Sequence, residues 1–485
     1  MDHPTDQSSL TRLKRLDELP GPDGLPLLGN AHQLPSDRLH QVLEDWVAQF
    51  GPMYTIRLGP LRAVVSADAA IAQHALKSRP EKFRRISTIE AVAAELGMNG
   101  LFSAEGEHWR RLRRIWLSAL NANQIKTYFP KLTEITGRLL AHWQRAAANG
   151  EVIDVQADLM RYTVDVSVLF SLGHDANTLQ QDGDIIQNQL HEVISAAGRR
   201  LRSSFPYWRY FKLPADRRLD RALATLRKSI GQLIDQARAR IAQNPALAER
   251  PTNLLEALLV TRDEDGSVLS DDDIFGNTMT LLLAGEDTTA NTLAWMMHYL
   301  ATVPATREAL RQEVDGIVGD AKLWSEHARA HDFHFTEALM NEALRLRPVA
   351  PAFFLEAIED AELGGVRVPA KTVLILATRA AAMRPDQFEQ APEFRPERWL
   401  GDAAPNSNQK PPMPFGSGPR LCPGRTLAVT EIKSVMAMLM RNFDIEAVQG
   451  PGPVREILNF TLQPINLRVR LKARTQSGDS HVRSR

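Results

Sequence analysis

The sequence holds a single cysteine, Cys422, among 485 residues. A disulfide within the chain is therefore impossible, and so is any zinc or iron–sulfur site that needs several thiolates. One thiolate can still act alone as the axial ligand of a haem iron. Cys422 lies in the run Phe415-Gly-Ser-Gly-Pro-Arg-Leu-Cys422-Pro-Gly-Arg. Gly416, Gly418 and Gly424 would let a flat cofactor approach the backbone closely. Pro419 and Pro423 stiffen the loop, and Arg420 puts a fixed positive charge two residues before the sulfur. Taken alone, the same residues also suit a small buried thiol in an ordinary Gly/Pro loop.

A second group interrupts an apolar helix. Ser270 suits an N-cap, Asp271 to Asp273 favour the positive end of a helix, and Pro304 lies just past its far end. The pattern predicts a helix from Asp271 to about Leu300, whose middle reads Leu281-Leu-Leu-Ala-Gly285-Glu-Asp-Thr-Thr289. Such a polar patch fits a face turned to solvent or a helix that crosses a reactive centre. Ala284 and Gly285 leave room for a flat ligand, and the Thr288 hydroxyl can bond a backbone carbonyl one turn back. Two other pairs, Trp109 with Arg113 and Glu342 with Arg345, are spaced to share a helix face. His331 and His334 have no neighbouring acid or cysteine set and read as surface histidines rather than a metal pair.

These residues need a scaffold, and composition bounds it. Lysine plus arginine and aspartate plus glutamate number 58 each, so nothing global calls for nucleic acid. Hydrophobic residues make up 44% of the chain, enough for a sizeable core. No run reaches ~18 uninterrupted apolar residues, so no membrane span is expected. Pro20 to Asn30 reads as a stiff, extended lead-in. Met53–Leu58 and Leu61–Val65 form a hairpin signal around Gly59-Pro60. Helical pattern dominates from Ser118 to Val303, with loops near Gly150, Gly173 and Pro251. Ala361–Leu376 reads as a second small sheet and Leu458–Val469 as terminal strands. The expected fold class is mainly α with small β-sheets (α+β), in one domain over 19–472. A flexible segment is expected over 1–18 and a disordered tail over 473–485. The basic and aromatic stretch Arg199 to Arg221 reads as a lid-forming connection.

Phe415, Gly418, Arg420, Cys422 and Gly424 spell F-x-x-G-x-R-x-C-x-G, with Leu427, Ala428 and Glu431 following. This resembles the haem-binding loop of the cytochrome P-450 family, and Ala284-Gly-Glu-Asp-Thr-Thr289 resembles that family's oxygen-binding motif. The resemblance runs from about Leu19 to about Leu471. It implies a haem b ligated by Cys422 between that loop and the long helix, with Ala284 and Gly285 passing over it. It makes Asp287 the acid and Thr288 the alcohol of a proton relay, and leaves Glu286 as a surface or helix-pairing charge outside it. Trp109, Arg113 and Arg420 would hold the haem propionates. Glu342, Arg345 and Arg398 would form a buried structural triad. Two departures appear. The arginine common near Leu355 or Glu356 is missing, and Ala381-Ala-Met-Arg-Pro-Asp386 replaces His-Arg-Asp-Pro, so fewer propionate contacts are expected.

The same resemblance implies an apolar pocket including Leu101, Phe102, Leu282, Phe353, Phe354, Phe460 and Leu462. Asn459 and Thr461 are its polar candidates for orienting a substrate. The implied reaction inserts one oxygen atom of O2 into an apolar organic molecule by hydroxylation or epoxidation. Two electrons would come from NAD(P)H through an external ferredoxin, flavodoxin or flavoprotein reductase, with Arg110, Arg111 and Arg114 as a docking patch. A soluble, cytoplasmic, bacterial-type member without fused reductase is expected. A peroxide-driven peroxygenase or haem isomerase is the alternative, against which Asp287-Thr288 argues. A haem sensor or electron carrier is the non-catalytic alternative.

Overall fold

The computed structural model describes residues 12–181, 185–203, 205–262, 266–401, 412–450 and 452–474. Helices dominate. In chain order they are α1 Leu39–Phe50, α2 Ala69–Lys77, α3 Ser87–Glu95, α4 Gly106–Ala119, α5 Ala122–Ala148, α6 Val155–Leu172, α7 Ile185–Arg202 and α8 Pro214–Gln243. There follow α9 Ala246–Glu249, α10 Leu254–Val260, α11 Asp271–Thr302, α12 Pro304–Val318, α13 His334–Leu346, α14 Thr378–Ala382 and α15 Arg425–Asn442. Among the described residues no helix is long and apolar enough to cross a membrane.

The peripheral helices follow the one-faced rule. In α5 the buried Ile125, Tyr128, Phe129, Leu132, Ile135, Leu139 and Trp143 recur every three or four residues. The long helix α11 breaks it, because α6, α13, α15 and the strand Leu462–Ile465 all pack on it. Every residue from Ile274 to Leu283 is buried. Its start is fixed by a reciprocal cap: Ser270 Oγ accepts from Asp273 N at 3.1 Å, and Asp273 accepts from Ser270 N. Where α6 crosses α11, a Cβ on Gly285 would lie 2.3 Å from Ser167 Oγ, so only glycine permits that approach.

The strands are β1 Met53–Leu58, β2 Leu61–Ser66, β3 Phe83–Arg85, β4 Val152–Asp154, β5 Phe353–Ala357 and β6 Ala361–Leu363. The remainder are β7 Val366–Val368, β8 Val373–Leu376, β9 Phe443–Ala447, β10 Arg455–Leu458, β11 Leu462–Ile465 and β12 Arg468–Ala473. The largest sheet runs β1-β2-β8-β5-β3, with β2 and β8 parallel and its other pairs antiparallel. Smaller sheets join β4-β12-β9, β10-β11 and β6-β7. The expected α+β class holds, with three adjustments. The Ala361–Leu376 segment splits, so that β6-β7 is a separate hairpin while β8 enters the main sheet. Strand β4 has no counterpart in the periodicity reading, and Leu458 ends a strand that starts at Arg455.

The termini are also more ordered than expected where they are described. Leu16 packs with Val64 and Val366, and Lys14 N donates to Gly365 O at 3.0 Å. At the other end Ala473 belongs to β12, and Arg474 Nη2 donates to Asp315 Oδ2 at 2.8 Å. The rest of the segment expected to be flexible, 1–11, and of the tail expected to be disordered, 475–485, lies outside the described residues.

Candidate active site

The Cys422 loop is built by its own backbone. Cys422 N donates to Phe415 O at 2.9 Å, Gly416 N to Met413 O at 2.9 Å, and Leu421 N to Gly418 O at 3.0 Å. Gly416 and Gly418 have φ of +77° and +70°, conformations glycine adopts without strain. Gly418 has a further reason. A Cβ there would lie 2.7 Å from Lys77 Cα, so this glycine packs the loop against the end of α2. Gly424, at φ −80°, is the N-cap of α15 and needs no such freedom. The thiol thus sits at the start of an 18-residue helix. Burial raises its pKa, against the pull of the Gly424 and Arg425 amides and of the Arg113 and Arg425 charges. Cys422 nevertheless keeps exposed surface. A thiol hemmed in by protein yet accessible faces an internal chamber.

Helix α11 shows the same sign. Within a buried stretch, Ala284 is exposed and Gly285 and Thr288 are half-buried, so one face turns to open space. Thr288 Oγ1 donates to Ala284 O at 2.7 Å, the back-bond its spacing predicts. Asp287 is 5% exposed and is gripped by Thr461 and Asn291. Glu286 corrects the expectation of a surface charge. It is 3% exposed, its Oε2 has no hydrogen-bond partner, and burial, aided by the Asp287 charge, pushes its carboxyl up to about 8.

Beside the loop lies a cluster of cations. Arg420 Nη1 donates to Ala104 O at 2.8 Å, its Nη2 to Glu105, and its guanidinium lies 4.3 Å over the Trp109 ring. Arg79 pairs with Glu105 at 3.6 Å. Arg85 Nε donates to Phe102 O at 3.0 Å with its guanidinium 3.7 Å over the Phe102 ring. Burial, and then the charges of Arg79 and Arg420, lower Arg85 to about 9; burial lowers Arg420 to about 10 and also lowers Arg113. Arg79 Nε and Nη2 and Arg420 Nε find no acceptor. A buried group of guanidiniums around one carboxylate, with unused N–H donors, fits an anionic ligand.

Sequence reasoning named Trp109, Arg113 and Arg420 but missed Arg79, Arg85 and Glu105. Yet Arg85 on β3 stands directly opposite Leu355 on β5, the neighbourhood where the common arginine is missing. A cation thus stands across the ladder from that neighbourhood.

Behind the loop, Glu342 and Arg345 have no exposed side-chain surface. Arg345 donates to Glu342 Oε2 at 2.9 Å and Oε1 at 2.8 Å, and to the carbonyls of Ala382, Ala391 and Glu393 at 3.0, 2.7 and 3.0 Å. All five of its N–H groups are used. Glu342 also accepts from Arg398 Nε at 3.0 Å, Arg395 N at 2.9 Å and Trp399 Nε1 at 2.9 Å. Burial alone would raise the Glu342 carboxyl, but these donors outweigh it and hold it low. Arg345 therefore clamps the chain that returns toward the cysteine loop, with Trp399 as an added partner.

The apolar residues separate. Phe102 and Phe460 keep exposed surface, Phe353 and Phe354 are half-buried, and Leu101 is buried beside the loop that packs on Gly276 of α11. Leu282 and Leu462 correct the pocket expectation, since neither has exposed surface to offer a ligand. Leu282 lies two residues from Ala284 and so on the far side of α11. Thr461 is likewise buried against Asp287, while Asn459 stays exposed. Trp208 Nε1 and Arg209 Nε of the expected lid donate to Glu95 on α3 at 2.5 and 2.6 Å. Of the proposed docking arginines, Arg110 is paired with Glu107 and Glu81, Arg114 is exposed and Arg111 half-buried. Among the described residues no cluster of histidine, cysteine and acids suits a metal ion, and His331 pairs with Asp332.

Comparison with known proteins agrees with this arrangement. The family model for cytochrome P450 matches residues 19–471. The chain is 28% identical to the protein LUTEIN DEFICIENT 5, chloroplastic, of Arabidopsis thaliana, over 85% of this chain and 70% of that one. It is 29% identical to the cyclooctat-9-en-7-ol 5-monooxygenase of Streptomyces melanosporofaciens, over 88% of this chain and 90% of that one. A self-sufficient cytochrome P450 monooxygenase of Penicillium freii is 28% identical over 95% of this chain, which spans 44% of that longer protein. A lone thiol at a helix start, a helix face opened by Ala284 and Thr288, and a family match across nearly the whole chain converge: the chain belongs to the cytochrome P450 family of haem-thiolate monooxygenases.

Proposed function

We propose that this enzyme hydroxylates or epoxidises an apolar organic substrate, with electrons delivered by a separate ferredoxin, flavodoxin or flavoprotein in the cytoplasm. The cofactor of the family is haem b, used with O2 and electrons derived from NAD(P)H. The observation that carries the reading is the Cys422 thiol, enclosed by protein yet accessible, at the start of α15.

Bound haem supplies the redox chemistry that activates O2 and transfers one oxygen atom to the substrate. In this reading Cys422 ligates the iron, and the Gly424 and Arg425 amides with Arg113 favour the thiolate over the thiol. Arg85, Arg113, Arg420 and Trp109 would hold the propionates, and Arg79 and Arg420 have buried N–H donors to spare for such acceptors. Ala284 would let a flat ring approach α11, whereas the missing Cβ of Gly285 serves the α6 crossing instead and corrects the expectation that it leaves room for the ring. Asp287 holds a carboxylate one residue before Thr288 in sequence, and the Thr288 hydroxyl would pass protons toward the chamber on turning from Ala284 O. Phe102 and Phe460, with one of Phe353 and Phe354, which point to opposite faces of β5, exclude water and select an apolar guest. Arg114, which is exposed, is a cation offered to an acidic redox partner.

The test is the difference spectrum of the reduced, carbon-monoxide-bound protein. A thiolate-type band is expected in the natural protein and its loss in Cys422→Ser. A histidine-type band in well-folded protein, or a thiolate band that survives the substitution, would overturn the assignment. Screening apolar compounds for a spin-state shift then narrows the substrate.

A further inference from the structure

The acid of the relay is held by groups that its own motif does not include. Thr461, in the turn between β10 and β11, is 4% exposed and donates its hydroxyl proton to Asp287 Oδ2. Asn291, one helical turn along α11, shares the two hydrogens of Nδ2 among Asp287 Oδ1 at 3.0 Å, Thr461 Oγ1 at 3.0 Å and the Asp287 backbone carbonyl at 2.9 Å. Behind it, Gln156 Nε2 on α6 donates to Asn291 Oδ1 at 2.9 Å and to Gln463 Oε1 on β11 at 3.0 Å.

The direction of these bonds matters. A hydroxyl has one proton, and Thr461 gives it to Asp287 while accepting from Asn291. Both carboxylate oxygens thus receive donors, one from the hairpin turn and one from α11. Donors directed at a carboxylate favour its ionised form and fix its rotation. The turn itself is pinned, because Trp295 Nε1 donates to Leu462 O at 3.1 Å and Leu462 N to Val349 O at 2.9 Å. The residue before Thr461 is Phe460, which is 37% exposed.

We propose that Thr461 and Asn291 are positioning residues for Asp287, and that the hairpin turn carrying Phe460 links the contents of the chamber to the orientation of that acid. This rests on the reading of Asp287 as the relay acid. A guest that presses on Phe460 acts on its neighbour Thr461, and through one hydrogen bond on the carboxylate. Proton delivery then answers to substrate occupancy without any contact between substrate and acid.

The experiment uses the haem-loaded full chain with a surrogate ferredoxin and its reductase, and styrene as an apolar probe. Three variants are compared: Thr461→Val, which keeps shape and loses the hydroxyl, Thr461→Ser, which restores it, and Asp287→Asn. The first readout is hydrogen peroxide released per NADPH consumed. The second is the infrared carboxylate band of Asp287, assigned by its loss in Asp287→Asn and recorded with and without 1-phenylimidazole as a chamber probe. Thr461→Val is expected to raise the peroxide fraction about three- to tenfold, the worth of one hydrogen bond, and Thr461→Ser to reverse it. The band is expected to shift on probe binding in the natural protein and in Thr461→Ser but not in Thr461→Val. A Thr461→Val enzyme that matches the natural one in either readout overturns the proposal. If Asp287→Asn itself leaves the peroxide fraction unchanged, the relay assignment falls, and the catalytic role of Thr461 falls with it. The infrared shift still reports whether the turn and the acid are coupled.

Discussion

Glu286→Gln should stabilise this protein, and by an amount that grows with pH. The Glu286 carboxyl has an ordinary value of 4.5 and is pushed up to about 8 by burial and the Asp287 charge. The folded state therefore keeps a proton that the unfolded chain releases once pH passes the ordinary value. For a raised pKa the sign is fixed. The stability is fully present below 4.5 and is lost as pH rises through the folded value of about 8. The slope is about 1.4 kcal/mol per pH unit, so the loss reaches about 3 kcal/mol at neutral pH and about 5 kcal/mol above pH 8. Glutamine copies the shape of the protonated acid and never ionises. Urea unfolding of the natural and Glu286→Gln enzymes, both haem-loaded, should give near-equal stability at about pH 5 and a gap of about 3 kcal/mol at neutral pH. Titrating groups that do not interact with Glu286 cancel in the difference. A gap that does not change between about pH 5 and pH 8, or a variant that is weaker at the upper end, would refute the reasoning.

Three further outcomes are expected. Glu342→Gln can present an acceptor on only one side, leaving Arg345 Nε and Trp399 Nε1 unpaired in a closed site. It should cost about 3–5 kcal/mol in urea unfolding, and the gap should shrink as pH falls below the ordinary 4.5, because the folded carboxyl is held lower. A full-strength variant would mean that the network does not carry the fold there. Arg85→Leu should speed haem loss to a scavenger protein about tenfold if its guanidinium binds a propionate, whereas unchanged loss would remove Arg85 from the haem site. Thr288→Ala should shift electron use from product to peroxide while changing stability by no more than about 1 kcal/mol, since only the bond to Ala284 O is lost. Unchanged peroxide release would take Thr288 out of the relay.

The parts of the site legible in the sequence are those contiguous along it. The Cys422 run and the Ala284–Thr289 patch each place their atoms through one loop or one helical turn. Local spacing is then nearly geometry, and the Ser270 cap and Thr288 back-bond followed from the same logic. What stayed hidden depends on elements far apart in the chain. Arg85 gains its meaning from its register with Leu355, and Thr461 from a turn folded back onto α11. Glu286 and Leu282 were misplaced for a common reason. A helix packed on most of its sides by α6, α13, α15 and β11 has no broad polar face, so periodicity cannot tell its chamber side from its packed sides. Gly418 was given a reason on the cofactor side, while its tightest neighbour is the backbone of α2.

The arginine cluster has a consequence for how the enzyme comes together. Arg79, Arg85 and Arg420 share the carboxylate of Glu105, Arg113 adds its charge beside Arg420, and burial depresses all four guanidiniums. Like charges held this close oppose their own assembly. An anionic ligand reverses that balance, so its binding energy is shared with the ordering of β3, the start of α4 and the cysteine loop. Cofactor uptake and the final closing of this wall are then one equilibrium. Added salt, by screening the same repulsion, should help the cofactor-free chain more than the loaded enzyme.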